Sequence, residues 1–315
     1  MTVIFVPTAV SSFFTIEGLD ENGNPVVPAQ LVGAKGGGFK LALGTYTSVE
    51  RRMAGGQAEL DDGKDVVFFN GNKLKDSTTH RVIAIVRRMI DIKGSLVVHH
   101  RVPLPWGSGF GTSASTALGS SVAILMALHA RATLKTAAQI AHEAELMAHT
   151  GLGTVGSFYS SAGSGGLITR AGGPGVCELE PFLEDYADYV VVATTLRPRP
   201  KGPVFMSREL TYEINRHGVE TLERVLKRPT AAELLKESRR FAERTGFMTE
   251  EVASICDTMT KYGAIGATQN MIGDAAHCVV SRKKSEGLVK ELKDRFPVGI
   301  TQISEFWEGG VHIIR

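Results

Sequence analysis

Pro105-Trp106-Gly107-Ser108-Gly109-Phe110-Gly111-Thr112-Ser113-Ala114-Ser115 sets three alternating glycines ahead of two hydroxyls and a run of small and apolar residues. Glycine adopts backbone conformations that other residues avoid and lets the chain approach a ligand closely. The run after Gly111 reads as a helix start, and a helix N-terminus presents unpaired N–H groups and a partial positive charge. Together these features make a phosphate site. Pro105 to Ser113 is therefore the candidate nucleotide-binding segment. The hydroxyls of Thr112 and Ser113 are placed to cap the helix or to reach a metal ion. No lysine follows the last glycine, so this is not a Walker loop. A literal G-x-G-x-x-G spans Gly151 to Gly156, but it follows a predicted helix rather than a strand and is no dinucleotide signature.

Upstream of the loop the chain is rich in predicted strands: Val3–Val6, Phe39–Val49, Val66–Phe69 and Ser95–Val102, with Gly, Asn and Asp between them. Gly33 to Gly38 reads as a flexible turn, and Thr79–Ile92 has the apolar spacing of a helix. Downstream, helices are expected at about Ser113–His129 and Thr136–His149, the second with Thr136 as N-cap and Gly151 just past its end. A turn at Gly163–Gly166 leads into a strand. Ala171-Gly172-Gly173-Pro174-Gly175 is the candidate boundary, giving domains at 1–172 and 173–315. The second half reads as a strand at Tyr189–Leu196 and helices at Ser207–Leu226, Ala231–Thr245 and Thr249–Tyr262. A strand at Ala275–Val280, a helix at Ser285–Arg295 and a strand at Val311–Ile314 follow.

The bulk numbers narrow the function. The chain has 315 residues, enough for two domains and a sizeable core. A net charge of +2 gives no electrostatic case for nucleic acid or an anionic membrane as partner. Three cysteines, Cys177, Cys256 and Cys278, lack metal-ligand spacing and fit a reducing cytoplasm. The first residues read as a strand rather than a signal peptide, and no apolar run reaches transmembrane length.

The central string resembles the phosphate loop of the GHMP kinases, the superfamily of galactokinase, homoserine kinase and mevalonate kinase. Their motif runs Pro, three residues, then Gly-Leu-Gly-Ser-Ser-Ala. Here Pro105 is followed by Gly109-Phe110-Gly111-Thr112-Ser113-Ala114. The resemblance implies an α+β fold, with an N-terminal domain like ribosomal protein S5 domain 2 and a C-terminal domain with a ferredoxin-like layer. It implies ATP and Mg2+ as cofactors, with Thr112, Ser113 and Glu145 as metal ligands. Glu145 stands in the predicted helix Ile140–Met147, on a face with Ala141 and His149, whereas Glu143 points elsewhere to solvent.

Four stretches are similar to one branch of that superfamily, the archaeal pantoate kinases. They are Val6-Pro7 with Ser11–Phe14, Gly33–Val49, Ile140–Glu145 with Thr150–Gly153, and Gly263–Gly273, a degenerate form of the superfamily's third motif. The branch implies phosphorylation of pantoate to 4-phosphopantoate in coenzyme A biosynthesis. Two alternatives stay open: another hydroxy acid such as homoserine or mevalonate, and an inactive nucleotide-binding regulator. Ser113, Glu145 and Thr154 are the candidate catalytic residues. Many relatives carry an aspartate base where this chain has Thr154, and threonine is no carboxylate base near neutral pH. Thr154 then either hydrogen-bonds the acceptor or shapes the turn.

An acceptor carboxylate needs a basic partner. Arg197, Arg199 and Lys201 lie in a proline-restricted loop and form one candidate set. Ser11, Ser12 and Lys40 form another. Trp106 is expected either beside the nucleotide or as the apolar floor of the loop. His99-His100 reads as structural or surface. The expected partner is a small hydroxy acid, with no nucleic acid and no membrane, in the cytoplasm, and a homodimer is left open.

Overall fold

The computed structural model describes residues 2–53, 64–75, 77–161, 163–199, 204 and 207–314. Two sheets organise it. The larger has eight strands: β1 (Val3–Phe14), β2 (Gly36–Arg52), β3 (Val66–Phe69), β4 (Asn72–Leu74), β5 (Ser95–Arg101), β6 (Gly165–Arg170), β7 (Glu178–Pro181) and β12 (His312–Ile314). Its main path runs β12-β1-β2-β5-β3-β4, and β6 pairs with the other end of β2 and carries β7. The smaller sheet has the order β11 (Ile300–Ser304), β8 (Tyr189–Arg197), β10 (Asp274–Ser281), β9 (Gly266–Gln269). Among the described residues all pairs are antiparallel except β3 with β5. Both β7 and β12 lie beyond Gly172 in sequence, so the first sheet draws on both halves of the chain.

The glycine run Gly36–Gly38 is not a turn but the first part of β2, paired with β1 on one side and β6 on the other. A side chain at Gly38 would put its Cβ 2.0 Å from the Val10 carbonyl oxygen. These glycines let three strands close up at one end of the sheet. Their flexibility in sequence suggested a turn; tertiary pairing overrode it.

Four helices serve the larger sheet: α1 (Thr78–Met89), α2 (Thr112–Ala127), α3 (Leu134–Met147) and α4 (Thr154–Tyr159). Helix α2 is buried at 14 of its 16 positions, because it lies between α1, α3 and the β1–β2 face. Its small residues (Ala114, Ala117, Ser120, Ser121) permit that close approach, while Leu118 and Ile124 fill the core with Val82, Leu96 and Ala141. Burying such a Leu or Ile stabilises the fold by about 1.5–3 kcal/mol each. The buried hydroxyls turn back to carbonyls, Thr116 to Thr112 at 2.9 Å and Ser120 to Thr116 at 2.7 Å. The N-cap of α3 is Thr133, whose side chain accepts from the Thr136 N–H, so the expected cap lies one turn too late.

Helix α5 (Arg208–Lys227) packs on α6 (Ala231–Arg244) and on β1 of the larger sheet, while α6, α7 (Glu250–Lys261) and α8 (Arg282–Arg295) cover the smaller sheet. Ser207, Thr230 and Thr249 cap the first three through their side chains. Val190, Val192, Ile255, Met259 and Leu288 make one core there. A second core, with Phe13, Phe39, Phe110, Leu234 and Phe241, runs between the two sheets and beneath the glycine loop. No helix among the described residues is long and apolar enough to cross a membrane.

Candidate active site

Gly107, Gly109 and Gly111 have φ of 74°, 80° and 62°. All three lie in the left-handed region that only glycine enters without cost. Gly111 is the N-cap of α2, so neither Thr112 nor Ser113 caps the helix by its side chain. The N–H groups of the first turn are thereby left toward the loop. Backbone hydrogen bonds and a buried side chain help to hold the loop in place. The Ala9 N–H donates to the Phe110 carbonyl at 3.1 Å, the Arg199 N–H donates to Gly107 at 2.9 Å, and Phe110 is wholly buried beneath. Phe110 is the apolar floor; Trp106 leans edge-on against Phe69 at 5.0 Å and stays 38% exposed.

Ser113 Oγ donates to Glu145 Oε1 at 2.7 Å, and Thr150 Oγ1 reaches the same oxygen at 3.2 Å. Glu145 is only 1% exposed. Its carboxylate lies where a side chain at Gly151 would stand, 2.5 Å from the ideal Cβ, which is why glycine follows the helix there. Glu143, in contrast, pairs with Arg88 at the surface. Thr112 is buried at the start of α2 and its carbonyl takes the Ser115 hydroxyl at 3.1 Å. A divalent cation fits this donor set. Mg2+ prefers hard oxygens and is held by one or two carboxylates with phosphate and water rather than by a protein cage. Among the described residues no three His, Cys, Asp or Glu gather as a metal cluster. One buried carboxylate and one adjoining hydroxyl, beside the phosphate loop, are what such a shared site needs.

A cavity of about 130 Å³ opens beside the loop. Its lining includes Ser11, Lys35, Lys40, Gly153, Thr154 and Met271. Thr154 joins the two regions, since a Cβ on Gly111 would stand 2.9 Å from its Cγ2. Thr154 begins α4, a short helix that starts directly after Gly153. Lys35 was not anticipated; its place inside the Gly33–Gly38 run was the available signal. Its ammonium pairs with Glu17 at 3.0 Å.

Lys40 is 6% exposed, and its ammonium donates to the carbonyls of Ser160 and Gly309 at 3.3 and 3.2 Å. Burial pulls its pKa from the ordinary 10.5 down to about 8, against the opposing charge of Glu308. Between about 8 and 10.5 the unfolded lysine holds a proton that the folded one has released. Stability relative to Lys40→Met should therefore rise with pH across that window. Urea titrations of both proteins at several pH values check this; a flat difference would place Lys40 at its ordinary pKa.

Several expected substrate residues lie elsewhere. Ser12 is wholly buried, and its hydroxyl is engaged with His277 at 3.0 Å rather than facing the cavity. The β1–β2 register skips Ser12 at a bulge between Ser11 and Phe13, which aims it at the other sheet. Arg197 Nε and Arg199 Nη2 both bind Asp274, at 2.8 and 2.7 Å, and Arg197 also pairs with Glu251. Neither arginine lines the cavity; the backbone N–H of Arg199 braces the phosphate loop at Gly107. Both guanidiniums are taken by an aspartate of the same chain. Lys201 lies outside the described residues. His99 stacks on Phe68 at the surface, and His100 is buried among Thr47, Thr79 and Ser120, both structural.

No family model matches the chain. It is 29% identical over 307 residues to a pantoate kinase of Thermococcus kodakarensis, covering 95% of this chain and 94% of that protein. To a pantoate kinase of Methanocaldococcus jannaschii it is 25% identical over 253 residues, covering 80% and 88%. Among solved structures, a phosphotransferase related to the CoA biosynthesis pathway superposes with a TM-score of 0.83 at 25% identity, covering 100% and 99%. A homoserine kinase from Cytophaga hutchinsonii superposes at 0.65 with 13% identity, covering 99% and 97%, a likeness of fold. In sequence and in fold the chain is pantoate kinase-like, with the two-domain α+β architecture of the GHMP kinases.

Proposed function

We propose that the chain transfers the γ-phosphoryl group of ATP to the primary hydroxyl of pantoate, a step of coenzyme A biosynthesis. The observation that carries the kinase reading is the Ser113–Glu145 hydrogen bond at the N-terminus of α2, beside a cavity that meets the phosphate loop at Thr154. Likeness to pantoate kinases over nearly the whole chain supports pantoate as acceptor. Residues 1–172 carry the phosphate loop, the metal pair and most of the cavity, and residues 173–315 brace them. The setting is the cytoplasm.

The residues divide the work as follows. The left-handed glycines and the first turn of α2 bind the nucleotide phosphates through backbone N–H groups. Ser113 and Glu145, with Thr112 at hand, would hold Mg2+, which when bound neutralises charge on the phosphates. Lys35 and Lys40 supply positive charge to the cavity for the acceptor carboxylate. Thr154 positions the acceptor hydroxyl. The bond from that oxygen to phosphorus forms as the bond to the ADP oxygen breaks, and the hydroxyl proton leaves late, to a phosphate oxygen or water. A loose transition state makes early deprotonation by a dedicated base less necessary.

Thr154→Val should then cost only a positioning hydrogen bond, about two- to twelvefold in kcat/KM. Losing a true base costs about 10²–10⁴-fold. A loss near a thousandfold would overturn this account of the site. The acceptor is tested by coupled ADP release with Mg2+ and ATP against pantoate, homoserine, mevalonate and shikimate. Turnover with another of these and none with pantoate would move the assignment to that acid.

A further inference from the structure

The turn between β9 and β10, Asn270 to Gly273, is pressed against the phosphate loop. A Cβ on Gly109 would stand 2.7 Å from Asn270 Cβ, and one on Gly273 would stand 2.9 Å from the Ser108 carbonyl carbon. Asn270 Nδ2 donates to the Ser108 carbonyl at 3.2 Å. On its other side Asn270 Oδ1 lies 2.6 Å from His277 Nδ1, and His277 Nε2 lies 3.0 Å from Ser12 Oγ. Ser12, Asn270 and His277 are all wholly buried. None of these contacts belongs to the chemistry described above, yet they end on the loop that binds phosphate.

The direction of the chain follows from its end. The Ser108 carbonyl only accepts, so the Asn270 amide must turn its NH2 there and its oxygen to His277. His277 Nδ1 must then carry a proton. Burial pulls the His277 pKa down to about 3, so the ring is neutral near pH 7 and Nε2 is bare. Nε2 accordingly accepts from the Ser12 hydroxyl. Every donor in this series points one way, from β1 of the first sheet through β10 of the second to the loop.

We propose that Ser12, His277 and Asn270 form a positioning relay that fixes the phosphate loop at Ser108–Gly109 against both sheets and so sets nucleotide affinity. Resting on the kinase reading, it adds residues that no comparison assigns. The bulge at Ser12 is the device that makes it possible, since regular pairing would turn that hydroxyl elsewhere. The acceptor side is held separately. The Met271 N–H donates to the Ser11 carbonyl at 2.8 Å, a backbone bond that does not involve the Asn270 side chain. The relay therefore acts on nucleotide binding more than on the acceptor.

The test has two arms. Histidine-labelled wild-type protein, read by long-range ¹H–¹⁵N correlation at pH 7, should show His277 neutral and protonated at Nδ1. A ring protonated at Nε2, or charged, overturns the relay whatever the enzyme's activity. In the second arm ADP is titrated calorimetrically into wild type, Asn270→Asp and Ser12→Ala. Asn270→Asp keeps an acceptor for His277 but has no donor for Ser108, and should raise the ADP Kd about tenfold. KM for the acceptor at saturating ATP should move by less than about twofold. Ser12→Ala removes only the distal donor and should raise the Kd about two- to threefold, so the arm remains decisive if Asn270→Asp does not fold. A lower melting temperature with unchanged Kd in the folded variants would reduce the three residues to core packing. Wild type that fails to bind ADP would instead sink the kinase reading, and the tautomer result would stand apart from it.

Discussion

Gly111→Val is expected to weaken nucleotide binding at least about 100-fold, beyond the reach of an ordinary titration. Gly111 has φ of 62°, where a β-branched residue is a true outlier. The strain alone costs about 1–2 kcal/mol. Contact adds to it, because the new Cβ would stand 2.9 Å from Thr154 Cγ2 and 3.2 Å from Phe158 Cζ. Phe158 is wholly buried and cannot yield. The first turn of α2 must move instead, and its N–H groups with it. Calorimetry with ADP, beside circular dichroism and a melting curve, reads the effect. Gly71→Val is the control: φ there is 82°, yet nothing lies within 4 Å of its Cβ. It should lower stability somewhat and leave nucleotide affinity unchanged. Wild-type affinity in Gly111→Val would remove the loop from the site.

Glu145→Gln is expected to lower kcat at least about tenfold and to raise the Mg2+ concentration that supports half-maximal rate. The amide keeps the shape, and its oxygen can still accept from Ser113, so the fold should hold. What is lost is the negative charge that a hard cation requires. Glu143→Gln is the comparison on the same helix. Its carboxylate pairs with Arg88 across an exposed surface, where such a pair contributes only about 0–1 kcal/mol. Its kcat and Mg2+ dependence should match wild type. Mg2+ titrations of steady-state rates separate the two, and equal effects would overturn Glu145 as the ligand.

Ser113 and Glu145 each stand in a local pattern with a chemical reason, a helix start after a glycine loop and a helical carboxylate before a glycine turn, and the fold brings the two side chains together. The cavity cations were legible only in part. Lys40 was one of the polar candidates near the predicted first sheet, while Lys35 lay inside a glycine run that reads as a turn and leads into β2. The partner of Arg197 and Arg199 is not legible in sequence, because a basic loop carries no mark of it. Asp274 is 77 residues from Arg197 in sequence, and only the β8–β10 pairing brings them together.

The sequence by itself determined the phosphate loop, the order of the principal helices and the kinase-like chemistry. These depend on backbone freedom, hydrophobic period and residue type, all of which act over a few neighbouring positions. Tertiary structure alone decided where Ser12 points and what Asn270 and His277 hold, and it set the lower pKa of Lys40. A single bulge reverses the facing of a strand residue, and a buried group's protonation depends on what surrounds it. Both are consequences of contacts between segments far apart in the chain, such as Ser12 and His277, 265 residues apart, which no local pattern encodes.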